Sequence, residues 1–381
     1  MHRPNSEPVD ANSLSALALA KRTAFECGVT RLADVTALDR IGIHTWQAIR
    51  PWSHNICVHQ GKAFDPVSAQ IGACMEAIEG AYGECWDAPS HRARHADLFA
   101  HERSDAADDF ADRRGRLDAE VDWVAAERVG GGRLWVPWWS VSLNFTRSFP
   151  TGIDIISTGQ GAGFDIDRAS WKGLLEVIER DAVGEWLRLG MVERSFDALD
   201  CSTVPFGWFT TLVEQLAAKR IVLRIFAIPA IIAIPVYVAE LFDVGFETLH
   251  RGVTAGFCCD WNAEAALAGA IAEAAQSRLT FIAGSRDDLD LATTALATPN
   301  PGYGFALGRG RQRRAFADQG GPIERPEGFR AGFDAAIAAL VAAGYDKVAR
   351  VTVSPAKSPV IVVRLLVPGL GSTDRLRRPP L

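Results

Sequence analysis

The chain has 381 residues, 48% of them hydrophobic and 23% charged, which excludes a disordered polypeptide and allows one large domain or two around a substantial core. A formal net charge of −6 and a pI near 5.8 exclude broad binding to nucleic acid or to an anionic membrane surface. The opening MHRPNSEPVD lacks the apolar core of a signal peptide, and the longest apolar stretch, between Arg224 and Glu240, is broken by Pro229 and Pro235; the expectation is a cytoplasmic protein without a membrane span.

In chain order, residues 1–30 read as a lead-in that is helical up to about Gly28, and residues 31–370 as the main domain. RIGIHTWQAIRP predicts one or two strands ending at Arg50 and Pro51, followed by a first helix capped by Asp65 and opened by Pro66. Residues 91–122 are so rich in charge that they predict an exposed helical excursion. Strand signals return at RLWVPWWSVSLNF. STGQGAG then leads into a second helix, and reads either as a plain glycine turn or as a turn whose N–H groups hold an anion. It is neither a Walker loop nor a dinucleotide fingerprint. RIVLRIFAI and PVYVAELFD predict strands after another helix, and VTAGFCCD carries a strand into a third capped helix. VARVTVS and PVIVVRLLVPGL close the domain with two strands before a polar tail at residues 371–381. This mixture predicts an α/β (α+β) architecture in which repeated strand-helix units converge on one site. The seven cysteines are odd in number and form no C-x-x-C, so neither a disulfide framework nor a zinc site is expected.

Chemistry is concentrated in the three capped helices. Each presents a pair of ligand-competent side chains three residues apart: Glu76 and Glu79, Glu176 and Glu179, Glu273 and Gln276. The first member lies eleven residues after a capping side chain (Asp65, Asp165, Asn262), and an alanine follows each cap by four (Ala69, Ala169, Ala266). Residues three apart on a helix project from one face about a turn apart. Their neighbours are small or aliphatic, so the carboxylates lie in or beside apolar faces, where each needs a cation or another partner. Several such glutamates suit an oxygen-loving ion such as Mg²⁺, usually carried with nucleotide phosphate. Arg180 and Arg278 follow the second and third pairs, suited either to neutralising a carboxylate or to gripping a phosphate.

These blocks resemble the YcaO superfamily over roughly Arg31 to Leu370. QGKAFDPVSAQIGACMEAIEGAYGE is similar to its S-x-x-x-E-x-x-E motif, STGQGAGFDIDRASWKGLLEVIERDA to its N-G…L-x-E-x-x-E-R-D-A block, and AGFCCDWNAEAALAGAIAEAAQSR to its E-x-x-Q-x-R block. The resemblance implies ATP and Mg²⁺ held by the three helices, and activation of a peptide backbone amide by phosphorylation of its oxygen. It implies metal ligation and nucleotide contact by Glu76, Glu79, Glu176, Glu179 and Glu273, nucleotide or metal contact by Gln276, and phosphate contact by Arg180 and Arg278. Lys62, Arg50 and Arg286 are further candidate phosphate or substrate contacts. Two positions depart from the pattern: Gly72 stands in place of the motif serine, and Thr158 in place of the asparagine.

Family members make thioamides, azolines or amidines. Azoline-forming members typically end in P-x-P-x-P, whereas this chain ends in RLRRPPL, and WSHNICVHQGKAFDP resembles members that work with a TfuA partner. The expectation is therefore a thioamide-forming enzyme acting on a precursor peptide or protein, with a TfuA-like partner, a sulfide donor and a possible homodimer. Azoline formation, amidine formation, an accessory role in sulfur transfer to a ribosomal protein, and a non-catalytic peptide-recruiting module are the alternatives.

Overall fold

The computed structural model describes residues 11–95, 97–98, 105–106, 120–147, 157–243, 253–286, 314–318 and 326–370. Most of the charged excursion and the tail lie outside the described residues. The chain divides into two compact units, each assembled from separate stretches of sequence.

The first unit comprises Met1–Pro51, Ile56–Ala77 and Ala182–Arg325. It opens with helix α1 (Ala11–Glu26), closed by Gly28 at φ +91°, a backbone conformation glycine adopts without strain. Strands β1 (Arg31–Asp34), β2 (His44–Ile49) and β3 (Val58–Ala63) form an antiparallel sheet in that order, with Gln47 opposite Gln60. Helix α2 (Pro66–Cys85) starts directly after β3. A second antiparallel sheet has the order β11 (Thr254–Cys259), β10 (Val236–Asp243), β9 (Ile221–Ile228). Two further helices pack on it: α5 (Gly207–Ala218) against β9, and α6 (Ala263–Ala283) against β10 and β11, reaching β3 as well. The short α4 (Met191–Arg194) precedes them.

Sequence explains that packing. Ala266, Ala270 and Ala274 recur every four residues on α6, and all three are fully buried. They make a smooth stripe on which β11 lies with its backbone in contact: a Cβ added at Gly256 would stand 2.1 Å from Ala274 N and 2.3 Å from Ala270 O. Phe209, Leu212, Leu216, Ile225, Leu241 and Ile271 fill the core around it, each contributing on the order of 1.5–3 kcal/mol by burial.

The second unit comprises Trp52–Asn55, Ile78–Asp181 and Pro326–Leu381. Its sheet runs β5 (Asp105–Ala106), β7 (Arg133–Pro137), β6 (Val121–Arg128), β12 (Ala349–Thr352), β13 (Ile361–Leu366), β8 (Gln160–Gly163), and β4 (Ser90–Ala93) also pairs with β6. Helix α3 (Ile166–Arg188) begins here, after β8, and α7 (Gly328–Ala342) buries Phe333, Ala336 and Leu340. Trp123 on β6 is fully buried, its indole N–H donating to Ala93 O at 3.1 Å.

Two expectations change, and the charged stretch is described only in part: Ser90–Ala93 form β4, His95, Asp97 and Leu98 are helical, and β6 starts at Val121. The strand expected through WSVSLNF stops at Pro137, and the chain turns into a 3-10 segment, Trp138–Ser140. QGAG is a buried edge strand rather than an open turn, because β13 pairs with it from Ile361 to Arg364.

Candidate functional site

The three expected caps are present. Asp65 accepts the N–H groups of Val67 (3.1 Å) and Ser68 (2.9 Å), Asp165 that of Arg168 (2.7 Å), and Asn262 that of Ala265 (3.1 Å). The alanines four residues later, Ala69, Ala169 and Ala266, are all fully buried. In the first two repeats a strand glycine four residues before the cap lies on the helix backbone. A Cβ at Gly61 would come within 2.1 Å of Ala69 O, and one at Gly161 within 2.3 Å of Ala169 O. Gly72, the departure from the family serine, faces Gly61 Cα across this contact, 3.3 Å from where its own Cβ would be.

In the first unit, Glu76 Oε2 accepts the Gln60 backbone N–H at 2.7 Å. Lys62 Nζ pairs with Glu273 Oε2 at 2.9 Å. Burial pushes the Glu76 carboxyl above its ordinary range and Glu273 adds to this, while the Gln60 N–H, Lys62 and Arg286 pull the other way. Glu273, Gln276 and Thr280 succeed one another along one side of α6, and Thr280 Oγ1 lies 2.5 Å from Gln60 Oε1. Gln47 continues the polar seam by donating to Ser285 Oγ at 2.8 Å. Within the seam, Gln276 Oε1 and Gln60 Nε2 are buried without a hydrogen-bond partner. Beside it, His59 is 2% exposed, and burial, with Arg50 and Arg286, lowers its pKa to about 3, so the ring is neutral.

In the second unit, Glu79 Oε1 accepts the Ala162 N–H at 2.7 Å, and Gln160 Nε2 donates to the Glu79 carbonyl at 2.6 Å. Glu176 Oε2 accepts the N–H of Gly159, whose φ of +87° turns that group toward it, at 3.1 Å. Thr158, next to it, is buried. Arg180 Nε stands 3.7 Å from Glu176 Oε1 and 3.7 Å from Glu179 Oε1, shared between them. Arg364 on β13 is 1% exposed; burial lowers its pKa to about 10, and the charge of Glu176 works against that shift.

The structure thus gathers Lys62, Glu76, Glu273 and Arg286 in one unit, and Glu79, Glu176, Glu179 and Arg180 in the other. Arg278 is engaged by Asp39 (2.8 Å) and Asp243 (2.7 Å). Burial opposes its charge, but the two carboxylates outweigh that and raise its pKa. Arg50 is 4% exposed, and its Nε donates to Cys27 O at 3.0 Å. Sequence reasoning did not single out Gln60, His59 or Arg364. Only Arg364 carried a signal, a lone charge inside the apolar run VIVVRLLV.

Among the described residues no three His, Cys, Asp or Glu side chains come close enough to cage a metal ion alone. The available donors are carboxylate and amide oxygens, a set for a hard cation. One or two such oxygens per ion is the usual protein share for Mg²⁺ when phosphate oxygens complete the shell. A carboxylate displaced toward its protonated form at Glu76 and an unmatched acceptor at Gln276 fit that chemistry.

Known proteins resemble this chain in sequence and in fold. Residues 60–371 match the family model described as YcaO cyclodehydratase, ATP- and Mg²⁺-binding. An uncharacterised protein of Mycobacterium tuberculosis strain H37Rv is 33% identical over 295 residues; the match covers 76% of this chain but only 65% of that protein's length. A Rhizobium leguminosarum bv. trifolii protein, described as lying in the tfuA 3′ region, is 29% identical over 369 residues, covering 90% of this chain and 84% of its own. Among solved structures, YcaO from Methanopyrus kandleri bound with AMPPCP and Mg²⁺ superimposes with a TM-score of 0.74 at 20% identity, over 94% of this chain and 90% of that one.

Proposed function

The chain belongs to the YcaO family, and on that premise we propose that it is an ATP- and Mg²⁺-dependent cytoplasmic enzyme that activates a backbone amide of a ribosomally made peptide or protein and yields a thioamide. The observation that carries the reading is the set of helix glutamates, each oriented by a main-chain N–H or a cation: Gln60 N–H on Glu76, Ala162 N–H on Glu79, Gly159 N–H on Glu176, Lys62 on Glu273. A carboxylate held in this way is already oriented for a ligand, at little further entropic cost.

In this reading Glu76, Glu79, Glu176, Glu179 and Glu273 hold Mg²⁺, with Gln276 Oε1 as a neutral donor. Thr158 and Lys62 contact the nucleotide, and Arg180 and Arg286 bear on phosphate oxygens. Bound ATP supplies the phosphoryl group that makes the amide oxygen a leaving group, and Mg²⁺ the charge that offsets its oxygens. Arg180 stands between Glu176 and Glu179, on the same helix as both proposed ligands. Arg278 acts at a distance, tying Asp39 and Asp243 to α6 so that Glu273 and Gln276 keep their places.

A relative in a tfuA region supports the thioamide outcome, with sulfide from a donor adding to the amide carbon and a TfuA-like partner assisting. The cyclodehydratase wording of the family model supports azoline formation as the second reading. Mass spectrometry of a co-produced peptide separates them: a gain equal to sulfur replacing oxygen marks a thioamide, and the loss of one water an azoline. Neither change, in the presence of ATP, Mg²⁺ and partner, would overturn both.

A further inference from the structure

Trp52 is 89% exposed, the most exposed large hydrophobic side chain among the described residues. A side chain so exposed usually sits on a loose loop, but this one does not. The buried Glu84 of α2 accepts both Ser53 Oγ (2.9 Å) and His54 N–H (2.8 Å), and Asn55 Nδ2 donates to Gly80 O at 3.4 Å. The loop at residues 141–147 is fastened alongside: Leu143 N–H donates to Gly83 O (3.0 Å) and Phe145 N–H to His54 O (3.2 Å). Asn144 Oδ1 accepts from Thr146 N–H at 3.0 Å, which fixes the turn. The two loops are therefore clamped to the last turns of α2, and they display Trp52 together with Phe145, itself 49% exposed.

Two residues after Phe145 the same loop carries a cation, Arg147, whose N–H donates to Asn144 O at 3.5 Å. The Arg147 guanidinium lies 4.6 Å from the ring centroid of Trp138, which stacks on Trp86 at 6.4 Å. Arg147 is exposed, and no carboxylate of the described residues pairs with it. Exposed aromatics on fastened loops, with a cation on the same loop, are the composition of a recognition surface, since the backbone ordering cost was met on folding. Charge complementarity selects an acidic occupant, and the indole and phenyl faces an apolar one. Position selects what that occupant is: Glu84 follows Glu79 by five residues, about 7.5 Å along the helix, within the reach of a few residues of extended peptide.

We propose that Trp52, Phe145 and Arg147 anchor a segment of the peptide substrate that carries an apolar side chain next to an acidic one, beside the amide to be modified. The word substrate rests on the function proposed above; the surface itself does not.

Selection of a random dodecapeptide phage library on the full-length protein tests it. Peptides with an aromatic or aliphatic residue adjacent to Asp or Glu are expected to be enriched. Synthetic copies should bind Trp52→Ser and Arg147→Ser at least about tenfold more weakly than the parent, and Glu176→Gln equally well. Failure to select any peptide, enrichment of basic or purely polar ones, or equal binding by the two loop variants overturns the proposal. So does a concentration-dependent dimer abolished by Trp52→Ser, because the occupant is then a second copy. Calorimetry with Mg·ATP on the same preparations reads the nucleotide site separately: Trp52→Ser should leave that affinity unchanged, and a parent protein without it would sink the proposed function while leaving the peptide result standing.

Discussion

Glu176 makes the sharpest test at the scale of single residues. In Glu176→Gln the amide oxygen can still accept the Gly159 N–H, so the fold should persist while the charge of the proposed metal ligand is lost. ATP consumption with peptide and partner is expected to fall by about 100-fold or more, with little change in melting temperature. Unchanged turnover would remove Glu176 from the site. His59 makes a different kind of test. Its folded pKa is lowered to about 3, so the unfolded chain takes up a proton near pH 6.5 while the folded chain does not. The contribution is therefore complete above pH 6.5 and is lost as pH falls toward 3. By pH 5 that loss is about 2 kcal/mol. Urea midpoints at pH 7.5 and 5.0 should show the parent losing that much more than His59→Gln.

Elements show why two of the three repeats share a spacing. Gly61 and Gly161 each precede their cap by four residues and touch the helix at the same relative positions, Ala69 and Ala73, Ala169 and Gly173. In the third repeat Gly256 precedes Asn262 by six, and its contacts move one turn on, to Ala270 and Ala274. Substitutions sort accordingly. Asp65→Ala or Asn262→Ala removes a cap and is expected to cost about 1 kcal/mol. Gly61→Ala places a methyl 2.1 Å from Ala69 O and Ala73 N, both backbone atoms that cannot rotate aside, and should cost more than either cap, of the order of 3 kcal/mol. Urea unfolding of the three variants checks the ranking, and Gly61→Ala no worse than the cap variants would contradict the close packing of β3 on α2.

For the whole molecule, the proposed function requires Mg·ATP to bind the folded chain and not the unfolded one. At a ligand concentration 100 times the dissociation constant that linkage is worth about 2.7 kcal/mol, and the melting temperature should rise with Mg·ATP and return when EDTA removes the metal. No rise at saturating nucleotide would count against the reading. No helix among the described residues is long and apolar enough to cross a membrane, and no disulfide joins any of the seven cysteines.

Local chemistry was legible because its causes lie within a few residues. A capping oxygen, its alanine four residues on and a glutamate eleven on are all set by one helix, and all three caps form as read. Strands were harder. β6 begins where the charged run ends, and it is a strand because β7 pairs with one side and β4 and β12 with the other. QGAG has no strand propensity of its own; it is extended because β13 supplies its hydrogen bonds and α3 lies on its glycines.

The amino-acid sequence by itself determined the three capped helices, the pairs they carry and the family to which the chain belongs, since each depends on residues close together in the chain or on their order along it. Only the tertiary structure decided what each charge is spent on: Arg278 on Asp39, 239 residues away, Lys62 on Glu273, 211 away, and Arg364 in the interior near Glu176. Electrostatic partnership depends on distance and burial in three dimensions, and neither is a property of spacing along the chain.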